Sequence, residues 1–177
     1  MPDPTDLQTL CVAVLDASEA ALDTIPGFAP GLEGAPERTF VTDGQPALAC
    51  PQLTVNAYTI REAATEPLGL GAGTRHKQNF RKNLVGVQVW VARCRATDSP
   101  PVPANVEAVA AQVNADAWAL WNYLWNINRG GSTDPLVTIC DEFYMDSLTP
   151  LQPSGQYAGW VLQLRVELAG YGTGADP

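Results

Sequence analysis

The chain has 177 residues, of which 46% are hydrophobic and 16% charged, and it has a formal net charge of -9 and a pI of about 4.4. This length suits one domain that buries roughly 70% of its unfolded surface, and the charge opposes general binding to nucleic acids or anionic lipids. No apolar run approaches the ~20 residues of a membrane span, and the N-terminus is not typical of a signal peptide. We therefore expect a soluble, cytoplasmic protein with no membrane partner.

The first predicted element is an amphipathic helix. Thr5 and Gln8 have the spacing of a capping box, and the apolar residues that follow recur at helical intervals. Pro26 and Gly27 are typical of a helix end. A connection rich in proline and glycine then leads to a short predicted strand over residues 38–42.

Two longer strands are predicted to pair as an antiparallel hairpin. Residues 53–61 and 84–95 alternate in character, and valines at every second position of the later strand share one face. The connection over residues 62–83 is much longer than a hairpin requires, and such length usually marks a functional or mobile loop.

A second helix is predicted over residues 104–127, between a proline-rich segment and two glycines. One apolar stripe contains Val106, Val109, Val113, Ala117, Leu120, Leu124 and Ile127. Beside it, Trp118, Trp121 and Trp125 form another stripe, so the apolar arc covers about half of the circumference. One sheet covers less than this arc, so we expect the tryptophans to pack against the first helix or a neighbouring subunit.

Two closing strands, over residues 136–148 and 156–169, complete the predicted fold, and the last has one buried and one solvated face. This order of elements predicts an α+β class, with a mostly antiparallel sheet and two helices packed on one face. We expect a single domain over residues 1–169 and a flexible C-terminal tail over residues 170–177.

Four cysteines lie about forty residues apart without metal-ligand spacing. They are Cys11, Cys50, Cys94 and Cys140. In a cytosolic compartment we expect them to be reduced, buried thiols. A Cys50–Cys94 disulfide is the one pairing that merits a test.

The residues needed for catalysis or metal binding do not form a recognisable motif. His76 is the one histidine, and no serine or cysteine lies in a nucleophile motif. Asp141 and Glu142 would point to opposite faces of a strand that also contains Asp146, so all three are predicted to be solvated edge charges. We therefore assign no catalytic, cofactor-binding or metal-binding residue, and a small enzyme using His76 serves as a control hypothesis.

A basic segment interrupts this acidic chain. Four of the ten basic residues fall within eight positions. The candidate interaction loop is Arg75, His76, Lys77, Arg81 and Lys82. Such a run fits a solvated hairpin tip, a contact with an acidic partner or a contact with DNA.

The order of elements, the run Cys50-Pro51-Gln52-Leu53-Thr54-Val55 that opens a strand, and the strand end Arg93-Cys94 together resemble a known family. The chain is similar, over most of residues 5–169, to the tail terminator, or head-to-tail connector, of long-tailed bacteriophages that infect actinobacteria. The positions that carry the resemblance are Cys50, Gln52, Leu53, Val55, Arg93 and Cys94, all of which it implies to be structural.

This resemblance implies a non-enzymatic virion protein that acts in the neck of the phage tail. Such a protein forms a ring, expected to be hexameric, at the head-proximal end of the tail tube, where it ends tube polymerisation. The implied partners are further copies of the chain, the major tail tube protein and the head-completion or connector protein. The 62–83 loop would then reach the lumen, where it would meet packaged DNA transiently, or the adjacent ring.

Two alternatives stay open. Because Leu48-Ala49 replaces the acidic or aromatic residues expected before the cysteine, a neighbouring head-completion (stopper) or tail-completion connector protein also fits. A monomeric phage binding module that uses the basic loop on an acidic host partner is the other interpretation.

Overall fold

A five-stranded mixed sheet with helices packed against it forms the computed structural model, so the predicted α+β class is confirmed. The structure describes residues 4–23, 38–47, 51–63, 82–94, 100, 102–129, 132–140, 142–151 and 157–168. In chain order, the elements within these residues are α1 (Pro4–Leu22), β1 (Arg38–Val41), β2 (Gln52–Ala63), β3 (Lys82–Cys94), α2 (Pro103–Asn128), α3 (Pro135–Ile139), β4 (Glu142–Pro150) and β5 (Tyr157–Leu168).

Helix α1 begins at Pro4, one residue before the predicted cap Thr5. The fixed φ of proline suits the first turn of a helix, so the helix includes Thr5. Its inward face buries Leu10, Val14 and Leu22, as the helical spacing of its apolar residues predicts. The predicted end at Pro26 and Gly27 lies outside the described residues, as does the predicted tail 170–177.

The strands lie in the order β1-β2-β3-β5-β4. The predicted β2–β3 hairpin pairing is confirmed, because these strands are antiparallel with Val55 opposite Val89. Strands β3 with β5 and β5 with β4 also pair antiparallel, whereas β1 runs parallel to β2. The sheet is therefore mostly antiparallel, with β1 and β4 as its edges.

Strict alternation along the central strands creates the core on the helix-covered face. The four valines of β3 lie there, and two of them face leucines of β5: Val87 faces Leu164 and Val89 faces Leu162. All of these side chains are buried. The predicted division of β3 and β5 into two faces therefore matches the structure.

The two long helices lie side by side, over different halves of the sheet. α1 contacts mainly β1 and β2, whereas α2 contacts mainly β5 and β4, and the helices also contact each other. This places α2 near the β4 edge and α1 near the β1 edge. Among the helices described, none has the length and apolar character required to span a membrane.

The face of the sheet opposite the helices is also buried at its centre. Gln52, Thr54 and Asn56 of β2 are almost inaccessible, and Trp90 is 8% exposed. The Nε1 of Trp90 donates a hydrogen bond of 2.8 Å to Oδ1 of Asn56, which satisfies both buried groups. The solvated face that the sequence predicts for the last strand is confirmed at Arg165, which is exposed, whereas Val161 on the same face of β5 is buried. Alternation assigns residues to faces but does not reveal what covers each face.

The prediction of one strand over residues 136–148 is wrong in its first half. Residues Pro135–Ile139 form α3, and the strand begins at Glu142. Oδ1 of Asp134 accepts a hydrogen bond of 2.9 Å from the backbone N–H of Leu136, and Pro135 occupies the first turn. This aspartate cap followed by proline starts a helix despite the β-branched residues that follow.

One cysteine departs from the expected reduced state. Cys94 is disulfide-bonded, whereas Cys11 and Cys140 are buried thiols. Cys94 lies two residues after Ala92, which pairs with Gln52 at the start of β2. Cys50 itself lies outside the described residues.

Candidate assembly surface

Three tryptophans line one side of α2, and the rest of the chain covers them only in part. Trp118 is 67% exposed and Trp125 is 45% exposed, whereas Trp121 is half-buried against the core. We call Trp118, Trp121 and Trp125 the tryptophan flank. The sequence predicts that the first helix or a neighbouring subunit covers these tryptophans. The first helix leaves most of Trp118 uncovered.

A hydrogen bond to β4 defines the direction in which this flank points. Nδ2 of Asn128 donates to the backbone oxygen of Phe143 on β4, at 2.8 Å. At about 100° per residue, Trp121 lies about 20° around the helix from Asn128, Trp125 about 60° and Trp118 about 80°. All three angles are measured from Asn128 in the direction that leads away from the buried Leu124. The flank therefore lies on the β4 side of α2 and faces outward.

Arg129 places a positive charge beside the tryptophan flank, near the end of α2. The guanidinium of Arg129 lies 5.2 Å from the centre of the Trp125 ring, which is within the range of a cation–π contact. Arg129 is itself exposed. The flank thus presents two large aromatic surfaces and a positive charge to its surroundings.

The first turns of α2 extend beyond the core. None of residues 103–112 is buried, and Val113 is the first buried residue of the helix. Val106 and Val109 belong to the predicted core stripe, but Val106 is exposed and Val109 is half-buried. Helical periodicity places them on the same side as Val113, but the helix is longer than the core beneath it.

The exposed side of α1 combines an apolar residue with carboxylates. We call Val12, Asp16, Glu19 and Asp23 the α1 outer face, and all four residues are exposed. The pKa of Glu19 is raised, chiefly by partial burial and also by the charges of Asp16 and Asp23, against a hydrogen bond with the Thr39 side chain. The strand nearest to the α1 outer face is β1, which α1 contacts.

The edge strand β4 bears polar and charged side chains. Glu142 and Asp146 are exposed, consistent with edge charges, and Nη2 of Arg165 lies 2.6 Å from Oδ1 of Asp146. Tyr144 donates a hydrogen bond to Glu142. Asp141 lies outside the described residues, among which no group of three metal-ligating side chains is present.

The basic candidate loop cannot be placed relative to these surfaces. Arg75, His76, Lys77 and Arg81 lie outside the described residues. Lys82 is described only as the first backbone position of β3. The role of this loop therefore stays a prediction.

Sequence reasoning found the tryptophan flank but missed two other parts of this surface. The α1 outer face has a detectable signal, because Asp16, Glu19 and Asp23 recur at helical spacing along one side. Arg129 lies at helical spacing from Trp125, four residues later, and this pair was also detectable.

Comparison with known proteins adds no relative to these observations. No protein-family model matches the chain, and no curated protein is similar to it at a significant level.

Proposed function

We propose that this chain is a non-enzymatic structural subunit that acts by packing against copies of itself and neighbouring proteins. The observation that carries this proposal is the tryptophan flank, where Trp118 is 67% exposed and Trp125 is 45% exposed on one side of a helix. Large aromatic side chains exposed on one side of a helix are candidates for a protein–protein contact. Aromatic residues and arginine are also enriched in such interfaces.

The energy available at this flank is substantial. Covering the exposed parts of Trp118 and Trp125 would remove on the order of 250 Å² of mostly apolar surface. At about 25 cal/mol per Å², this corresponds to roughly 6 kcal/mol before the costs of association. Part of that energy is lost in ordering the partners, so other contacts must contribute to a stable assembly.

The specific form that we propose is the tail terminator of a long-tailed bacteriophage. In this role a ring of subunits, expected to be hexameric, closes the head-proximal end of the tail tube and joins it to the head connector. The support is the resemblance in element order and in the Cys50 and Arg93-Cys94 strand motifs. The proposed location is the virion neck, and the proposed partners are the tail tube protein and the head-completion protein.

The experiment is native mass spectrometry of the purified chain, alone and with the tail tube protein of the same phage. We expect the wild-type chain to form closed rings, either in solution or on tube ends. We also expect tubes to stop growing when the chain is added. The W118S/W125S variant should lose this assembly, with a dissociation constant raised about thirtyfold or more, because buried tryptophans commonly dominate interface energies.

Tyr58→Ser is the matched control, since Tyr58 is an exposed aromatic residue on β2, away from the flank. It should assemble like the wild type. A wild-type chain that stays monomeric and neither binds tube ends nor limits tube length would contradict the proposal. A gene that directly precedes a major tail protein gene would favour the terminator over the neighbouring neck proteins.

A further inference from the structure

We propose that neighbouring copies of this chain join through two different surfaces, the tryptophan flank of one copy and the α1 outer face of the next. The inference rests on the proposed self-assembly and names the contact that would carry it. The occupant of the flank is therefore a second copy of this chain.

The positions of the two surfaces suit a repeating contact. The tryptophan flank lies on the β4 side of α2, as the bond from Asn128 to Phe143 indicates. The α1 outer face lies near β1, which α1 contacts. Strands β1 and β4 are the opposite edges of the sheet, four strand spacings or about 19 Å apart. Patches on opposite sides of a subunit form head-to-tail contacts that can close into a ring.

The charges of the two surfaces are complementary. The α1 outer face presents Asp16, Glu19 and Asp23 toward the carboxyl end of a helix, where the helix dipole disfavours negative charge. The last turn of α1 contains no basic residue. These like charges repel one another, so a cation supplied from outside would stabilise this face.

Arg129 is the cation that the flank offers. Of the four arginine side chains that the structure describes, Arg93 and Arg165 already pair with carboxylates and Arg61 lies on β2, away from the flank, whereas Arg129 stacks on Trp125. A guanidinium held on an aromatic ring is preorganised to meet carboxylates across an interface. Seated against the next copy, Arg129 would approach the three carboxylates of the α1 outer face.

The apolar parts of the two surfaces also match. Val12 is exposed one turn before Asp16, in the middle of the outward side of α1. It would give the Trp118 ring an apolar contact while the charged residues lie nearer the rim. An apolar centre with a polar rim is the usual composition of a specific interface.

A charge exchange tests the contact. Arg129→Glu alone and the pair D16R/D23R alone should each weaken self-association about tenfold or more, because like charges would then face each other. The chain that carries all three substitutions should recover most of the wild-type affinity, measured by sedimentation or native mass spectrometry. Arg61→Glu, at an exposed arginine on β2, is the matched control and should assemble normally. Failure of the triple variant to recover would overturn the proposal.

A mixing experiment tests whether the contact joins different surfaces. W118S/W125S retains its α1 outer face, and D16R/D23R retains its tryptophan flank, so neither should assemble alone. Mixed together, they should form a heterodimer through one intact contact and stop there. Homodimers of D16R/D23R would indicate contact between two flanks and overturn the proposal.

The two proposals fail in different ways. If W118S/W125S loses assembly but the charge variants Arg129→Glu and D16R/D23R assemble as well as the wild type, this contact is wrong but the proposed function stands. If the wild type assembles neither alone nor on tube ends, the proposed function fails and this contact with it. Circular dichroism of each variant verifies that its fold is intact.

Discussion

A buried ion pair between Arg93 and Asp116 connects β3 to α2. Nε and Nη2 of Arg93 lie 2.5 and 2.8 Å from the two carboxylate oxygens of Asp116. The side chains are only 7% and 1% exposed. Burial raises the pKa of Asp116, and the hydrogen bond and charge of Arg93 offset part of that rise. The pair therefore orients α2 on the sheet. Removing one of its two residues would destabilise the protein, because the other would be left as an unpaired buried charge.

We predict that Arg93→Met destabilises the protein by about 3–5 kcal/mol at neutral pH, because it leaves a buried carboxylate without its partner. It should also raise the pKa of Asp116 further. A folded-state pKa above the unfolded value of about 3.9 favours folding at low pH and costs stability as pH rises through it. The deficit relative to wild type should therefore shrink as pH falls toward about 4, as measured by urea unfolding at several pH values.

The double variant R93M/D116L is the control for this prediction. Replacing both charges with apolar groups should recover most of the lost stability, since neither partner is then buried as an isolated charge. If Arg93→Met lowered the free energy of unfolding by the same amount at every pH, that result would contradict the assigned role of Asp116.

At the scale of elements, one aspartate organises the junction between α2 and α3. Asp134 caps α3 through the backbone N–H of Leu136, and its other carboxylate oxygen accepts a bond of 3.1 Å from the Tyr123 hydroxyl on α2. Leu136 is fully buried in the core. Helix α3 contributes a core residue but is too short to be stable alone. The cap therefore holds this helix in place.

We predict that Asp134→Ala lowers the free energy of unfolding by about 1–2 kcal/mol, because it removes the cap. Tyr123→Phe removes only the bond to the other oxygen and should cost less, about 0.5–1 kcal/mol. Chemical denaturation of both variants measures the difference. Equal losses would mean that the cap contributes nothing beyond the tyrosine bond.

At the scale of the whole molecule, a disulfide at Cys94 restricts the unfolded chain. A cross-link stabilises a protein mainly by lowering the entropy of its unfolded state, typically by 2–4 kcal/mol. We predict a loss of about this size when a phosphine reductant is added, measured by urea unfolding with and without it.

Thiol counting provides the control. With the predicted Cys50–Cys94 pairing, the unfolded, non-reduced protein should expose two reactive thiols, those of Cys11 and Cys140. Four reactive thiols before reduction would contradict the disulfide, and the reductant should then leave stability unchanged.

Most of the secondary structure could be predicted because the signals are local. The valines of β3 at alternate positions and the helical spacing in α1 and α2 each depend on a few neighbouring residues. At residues 135–139 the Asp134-Pro135 cap outweighs the strand preference of the β-branched residues, so this segment is a helix and not the predicted strand. Of the candidate surface, the tryptophan flank could be predicted, since its members recur along one side of a single helix.

The sequence by itself thus determined the fold class, the faces of the central strands and the existence of an apolar arc on α2 wider than one sheet covers. Only the tertiary structure decided which part of that arc stays open, that α2 extends past the core, and that the flank and the α1 outer face lie near opposite sheet edges. The physical reason is that periodicity is a property of a short segment. Exposure depends on which distant elements lie alongside that segment, and on how far its length exceeds theirs.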